Sequence, residues 1–401
     1  MLKLKKAEEV LFFLTILFLP TQLGQHFWPD FAHIYSLKID YLSPTIYFWD
    51  LLIVLLLIVF LLQKKYVNQK ALNLNLAFIF TQLLSIVVTA YNQNEPWTGL
   101  VRLEQFFVTG LFGVYIASQK YEEIKKRIVL PLSIAVISES LLVFYQVYSN
   151  QTLGLWILGE RSFSIQTPGI AKFDFYGREI LRPYATFPHP NVLAGFLVIS
   201  LILVQKFAKD NLLKIISLSL ATVTTLLTFS RVAVLVLFSI LISFGKKWVL
   251  LVLGIVILTS PFLYPRFSSL FNFDSLTILR REELAEVSLE LFSDSPLFGV
   301  GLNRFIIEGS NQILIGPSRF LQPVHNIFLL NLAETGLVGF IGLIILVAYP
   351  IFQTFRLKPF FLLWGVIVFL GLFDHYFLTL PQGLRILFLV WGLSFSAKIY
   401  R

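Results

Sequence analysis

The chain has 401 residues, 57% of them hydrophobic and only 14% charged, with a net charge of +9 and a mean hydropathy of +0.78. So little polar surface cannot coat a water-soluble globule, which excludes soluble folds and implies an all-α polytopic membrane protein. The absence of cysteine excludes thiolate catalysis and cysteine-held metals.

A crossing helix needs about 20 mostly apolar residues to span a hydrocarbon core about 30 Å thick. Twelve stretches fit, centred on 10–25, 45–62, 72–90, 98–117, 128–148, 191–205, 212–228, 231–244, 248–264, 326–353, 359–377 and 382–397. The first contains Pro20 and Gln22 and lacks a small-residue cleavage site, so it is read as a retained helix and not a signal peptide. Two longer segments interrupt the series, 150–190 and 265–324, the second lying before the tenth span. Within it, RREELAEVSLELF at 280–292 places Leu284, Val287, Leu291 and Phe292 on one helical stripe. Asp294, Ser295 and Pro296 end that stripe, which is expected at the membrane surface against lipid or the helical bundle. No Ser/Gly/Pro-rich linker and no repeat divides the chain, so 1–401 is read as one integral membrane domain.

Short loops rich in Lys and Arg stay in the cytoplasm. With the N-terminus inside, nineteen basic residues fall in inner segments, sixteen Lys and three Arg, and an even count of spans leaves both termini cytoplasmic. The outer segments hold Lys38 and Lys172 against eight arginines: Arg161, Arg178, Arg182, Arg266, Arg280, Arg281, Arg304 and Arg319. Point charges suffice to anchor topology, whereas guanidinium binds phosphate through two parallel hydrogen bonds. The competing role for these arginines is pairing with Asp274, Glu282 or Glu308 inside a folded loop. All five histidines, His26, His33, His189, His325 and His375, fall in outer loops or at outer helix ends, so proton chemistry is expected on the outer face. The net positive charge is a topology signal and implies no nucleic acid.

Charges inside the spans are few: Asp50, Arg102, Glu104, Glu139, Arg231, Glu334 and Arg385, with Asp374 near an outer end. Each costs a few kcal/mol in lipid and must find a partner or a hydrated cavity. The stretch PVHNIFLLNLAETGLVGF at 323–340 carries His325 where the long loop meets a span, and Glu334 nine residues later. About 100° per residue puts these two on opposite faces of a straight helix, about 13 Å apart along it. Glu334 is therefore expected to hold an arginine of another helix, Arg385 or Arg102, with Gly336, Gly339 and Gly342 giving close helix contact. Asn326 is expected to cap or orient the start of the helix.

The segments RREELAEVSLELFSDSPLFGVGLNRF and PVHNIFLLNLAETGLVGF, with ATFPHPNVLAGF around His189 and TFSRVAVLVL around Arg231, together resemble the O-antigen ligase family. The likeness carries motifs over about 180–353 and topology elsewhere. It implies a GT-C-like membrane glycosyltransferase of about twelve transmembrane helices in the bacterial plasma (inner) membrane, its active site on the outer face. The donor would be a glycan on undecaprenyl pyrophosphate and the acceptor a glycan or glycolipid, as in lipopolysaccharide and other cell-envelope polysaccharide synthesis, with no cofactor and no metal. It also implies His325 as catalytic histidine and Arg231 and Arg281 as pyrophosphate-binding residues, with Arg280 able to exchange places with Arg281. Arg304 ranks second as a donor-binding residue, and Glu334, Asn326 and His189 are supporting.

The chemistry is consistent without the family. An acceptor hydroxyl must lose a proton as it attacks the anomeric carbon, which a histidine can take. Fixed guanidinium groups can neutralise the departing pyrophosphate, giving direct displacement with inversion. A repeat-unit polymerase uses the same donor and differs only in whose hydroxyl attacks. A secondary transporter for a small anion is the reading from another class; it predicts midplane sites and inverted repeats, and no such repeat is visible.

Overall fold

In hydrocarbon every backbone N–H and C=O must be satisfied within the segment, so long apolar runs have little choice but helix. The computed structural model describes residues 2–93, 95–268, 275–315 and 321–398, so Asp274, Arg319 and Arg401 lie outside the described residues. Fifteen α-helices lie among the described residues. Six are long and apolar enough to cross a membrane: α3 (Gln69–Gln93), α4 (Trp97–Ala117), α5 (Tyr121–Ser149), α6 (Pro190–Phe207), α9 (Lys246–Ser268) and α12 (Ile327–Thr354). Shorter apolar helices are α2 (Phe48–Leu62), α7 (Leu212–Leu227), α8 (Arg231–Ser243) and α13 (Lys358–Phe373), while α1 (Leu2–Leu17) and α15 (Pro381–Lys398) occupy the first and last apolar stretches. The chain is thus a polytopic membrane protein with a helix in each of the twelve stretches, six of them of full spanning length.

Two boundaries differ from expectation for local reasons. The first helix ends at Leu17, leaving Pro20 and Gln22 outside it, because proline restricts the residue before it and removes a donor. The stretch expected over 359–377 stops at Phe373, and Asp374 turns extended (φ −156°, ψ 161°) before the four-residue α14 (Tyr376–Thr379).

The chain forms two compact units, one made of 1–4, 24–121 and 274–401 and the other of 5–23 and 122–273. In the first, α4 packs along α15 and α3 along α12. Gly339 and Gly342 permit the latter approach, since a Cβ at either would strike side chains that include Gln82 and Thr81 of α3. Gln82 also donates to the Gly339 carbonyl at 3.0 Å and accepts from Asn331 at 2.9 Å. The amphipathic helix α10 (Leu276–Asp294) turns its stripe onto protein: Leu284, Val287 and Leu291 pack with Phe305 and Ile306 of α11 (Phe305–Gly309), with Leu330 and Ala333 of α12, and with Ala32, Ile34, Ile39 and Leu42. The last four belong to a segment built from two antiparallel pairs, β1 (Gly24–His26) with β4 (Thr45–Tyr47) and β2 (His33–Ile34) with β3 (Leu37–Lys38).

Helix α12 is broken at Gly336 (φ 59°, ψ −164°). The freed backbone groups are taken by the turn at 296–301, PLFGVG. Val300 and Gly301 donate to the carbonyls of Ala333 and Glu334 at 3.0 and 2.9 Å, and Leu337 and Val338 donate to those of Pro296 and Leu297 at 2.9 and 3.1 Å. Ser85 donates its hydroxyl to the Glu334 carbonyl at 2.9 Å. A Cβ at Gly336 would run into the backbone of Leu297 and Phe298, and one at Gly299 into that of Glu334 and Thr335. Gly336→Ala therefore forces a left-handed residue and a backbone collision together, with an expected cost of about 1–3 kcal/mol. Thermal unfolding in detergent checks this, and an unchanged midpoint would count against the break being built in.

In the second unit, the segment 150–190 is folded down onto α5. Gln146 accepts the amides of Tyr184 and Ala185 at 2.8 and 2.9 Å, and Glu139 accepts both the amide and the hydroxyl of Thr186 at 3.0 and 2.9 Å. Glu160 accepts the amides of Leu153 and Leu155 at 3.0 and 2.7 Å. Within the segment β5 (Lys172–Phe175) and β6 (Arg178–Leu181) form a hairpin.

Candidate active site

His325 lies one residue ahead of the cap of α12. Asn326 is that cap, its side-chain oxygen accepting the amides of Phe328 and Leu329 at 2.8 and 3.1 Å, as expected of asparagine at this position. His325 is thereby left outside the helix ladder. Its Nδ1 faces Asp374 Oδ1 at 3.7 Å, and its ring centroid is 5.2 Å from that of His375. Asp374 reaches this place because α13 ends at Phe373, and its Oδ1 also accepts the His375 amide at 2.9 Å.

His375 is buried and differently employed. The Thr379 hydroxyl donates to the His375 carbonyl at 3.1 Å and lies 2.6 Å from Nδ1, so Nδ1 carries the proton that Thr379 accepts. Tyr41 meets the ring edge-on at 5.6 Å. Burial pushes this imidazole down to about 3; Asp374 opposes the shift, while His325, Arg102 and Arg281 add to it. A histidine depressed below its unfolded value stabilises fully above about pH 6.5, and the contribution is lost as pH falls toward 3. Unfolding midpoints in detergent should thus drop with pH across this window, and less steeply in His375→Gln. An equal slope in the two proteins would refute the assignment. His325, Asp374 and His375 bring three ligand-type groups within 4.8 Å of one another, a spacing open to a metal ion as well as to a base with its orienting carboxylate.

The arginines divide by what they already hold. Arg304 is engaged by two carboxylates, Glu95 at 2.9 Å and Glu308 at 2.6 Å, so its guanidinium is committed within the fold. Arg280 donates Nε to the Ile315 carbonyl at 3.1 Å. Arg281, one residue on, exerts its charge on His375, and among the described residues no hydrogen bond or ion pair holds it. The adjacent pair thus differs in what it holds, Arg280 a backbone carbonyl and Arg281 nothing among the described residues.

Arg231 opens α8 in the second unit, behind Ser230 as cap. The turn before it contains Phe229 at φ 51°, a left-handed conformation unusual for an aromatic residue. Two guanidiniums hold that turn: Arg182 donates to the Thr228 carbonyl at 2.9 Å and Arg266 to the Phe229 carbonyl at 3.2 Å. Arg182 also donates to Asn191 at 2.8 Å, two residues after His189, whose Nδ1 caps α6 by accepting the Asn191 amide at 3.1 Å.

Inside the spans, Glu334 faces the charge of Arg102 and accepts the amides of Asn303 and Phe305. Arg385, the other expected partner, instead interacts with Asp50 and lies over the rings of Tyr47 and Trp49 at 5.4 and 4.7 Å. His325 and Glu334 therefore serve different partners. Asp374 is the residue that sequence reasoning noted only as a charge near a helix end; an Asp-His pair interrupting the apolar run GLFDHYF was the available signal.

Residues 215–344 match the family model described as O-antigen ligase, a span that includes Arg231, Arg281, His325 and Glu334 and ends before Asp374. No curated protein matches the chain.

Proposed function

We propose, from the match of residues 215–344 to the O-antigen ligase family model, that this chain is a glycan-transferring enzyme of that kind and moves a glycan from undecaprenyl pyrophosphate to a hydroxyl acceptor on the outer face of the plasma membrane. The observation that carries the mechanism is His325 facing Asp374 at 3.7 Å, outside the helix ladder and beside a neutral His375. With Nδ1 turned to the carboxylate, Nε2 is the nitrogen offered to the acceptor. The acceptor oxygen bonds to the anomeric carbon as its proton passes to Nε2. The bond from that carbon to the pyrophosphate oxygen breaks, and its electron pair leaves with the pyrophosphate. Asp374 orients the ring and balances the imidazolium that forms. Arg281 and Arg231 are the donor-binding residues, with Arg280 as a neighbour and Arg304 given a structural part by its two carboxylates. Attack opposite the leaving group inverts the anomeric configuration.

Protein in liposomes, supplied with undecaprenyl-pyrophosphate glycan and either lipid A core or a second lipid-linked repeat, tests this. Glycosyl transfer with inversion is expected, and the acceptor that is used separates ligase from polymerase. Uptake of a small anion without transfer would instead establish the transporter reading.

A further inference from the structure

A cavity of about 780 Å³ lies between the segment 24–47 and the first turns of α2 and α4, all within the first unit. Its walls include Phe27, Trp28, Phe31 and Trp97, together with the carboxylates of Asp50 and Glu104. Aromatic residues at a helix end are ordinarily an interfacial belt. The carboxylates set this cavity apart, because a groove for an alkyl chain gains nothing from two of them.

The two carboxylates are in different states. Asp50 accepts the Tyr47 amide at 2.9 Å and interacts with Arg385. Glu104 is exposed to the cavity, and among the described residues no hydrogen bond or ion pair engages it. A carboxylate left without a partner on an apolar helix is costly, so it calls for donors from outside the protein. The aromatic walls are also unequal. Trp28 is fixed by His26, stacked at 5.6 Å, and by Lys38, 5.1 Å over its ring. Trp97 and Phe27 are 58% and 47% exposed and offer open faces.

Flat apolar faces beside acceptor-only groups match a pyranose ring, which has C–H faces and hydroxyl donors around its edge. We infer that this cavity is a subsite for a sugar ring of the acceptor glycan, with Trp97 and Phe27 as stacking platforms and Glu104 as hydroxyl acceptor. The inference rests on the proposed transfer reaction for the identity of its ligand. The same outer segment carries Tyr41, which packs against His375, so one piece of chain walls the subsite and braces the base. An acceptor of several rings would use both.

The test uses full-length protein in nanodiscs and, as probe, the oligosaccharide fraction released by mild acid from the source cell's own envelope polysaccharide. Trp97→Ala and Glu104→Gln should each raise the acceptor KM about tenfold, leaving the donor KM and the thermal midpoint unchanged. Direct binding of the oligosaccharide, followed by calorimetry, should weaken in parallel. Unchanged acceptor KM in both variants while wild type transfers normally overturns the subsite. Displacement of the oligosaccharide by undecaprenol would likewise overturn it in favour of a lipid groove. Oligosaccharide binding that both variants weaken, in a protein that performs no transfer, would sustain the subsite and fail the reaction instead.

Discussion

His325→Ala should reduce glycan transfer by about a hundred- to ten-thousand-fold, the range spanned by loss of a positioned acid/base group, while the protein unfolds at nearly its usual temperature. The second half of that expectation follows from where the residue sits. The start of α12 is held by Asn326, which accepts two backbone amides, and His325 contributes nothing to that cap. Its side chain is only 16% exposed, so truncation costs some packing, and His325→Gln, which fills most of the same space, controls for that loss. Asp374 keeps the His375 amide as a donor and is not stranded. Asp374→Asn preserves shape but removes the charge that balances the imidazolium, and its loss of rate should fall between wild type and His325→Ala. Donor binding should persist in both variants, since the arginines are untouched. Near-normal turnover in His325→Ala would remove the base assignment, and an unfolded variant would show the residue to be structural.

The helices were legible because hydropathy reports solvent, and in a bilayer solvent dictates backbone hydrogen bonding. Local chemistry moved the ends: Pro20 closed the first helix early, and Asp374 cut the eleventh apolar stretch. His325 could be singled out because a histidine at a loop-to-helix junction after Pro323 is visible in one short window. Its partner could not, because Asp374 lies across the whole of α12 and α13, and pairing of that kind is set by helix packing that no periodicity records. The same holds for Glu334: the sequence narrowed its partner to Arg102 or Arg385, and helix adjacency, α4 beside α15 and α3 beside α12, allotted them differently. In the sequence Gly336 is indistinguishable from the packing glycines Gly339 and Gly342. Only the docking of PLFGVG against ETG distinguishes it, since those backbone bonds replace the missing turn of helix.

Arg102→Met should destabilise the protein by about 3–5 kcal/mol, because it strips four acceptors of the guanidinium's hydrogen bonds and removes the positive charge that acts on Glu334. Glu334 is 7% exposed and Arg102 3%, so neither charge can turn to water when the other is lost. Arg102 does more than balance charge. It donates to the Thr379 carbonyl at 2.6 Å, to Gln105 at 2.8 Å, to Asn303 at 3.2 Å and to the Tyr41 carbonyl at 3.4 Å. Those contacts join α4 to the chain before α11, to the segment 24–47 and to α14, whose Thr379 holds His375. Lysine cannot serve this set, because an ammonium is a single point and the planar fork is what reaches several acceptors; Arg102→Lys should thus remain well below wild type in stability. The double variant Arg102→Met with Glu334→Met removes both charges and should recover only the electrostatic part of the loss, since the acceptors of Arg102 still lack the guanidinium. Unfolding midpoints of wild type, Arg102→Met, Glu334→Met and the double variant in one detergent give the coupling between the two residues. Additive losses would mean that Arg102 matters through its carbonyl contacts alone, with Glu334 held by the amides of Asn303 and Phe305 and not by the guanidinium.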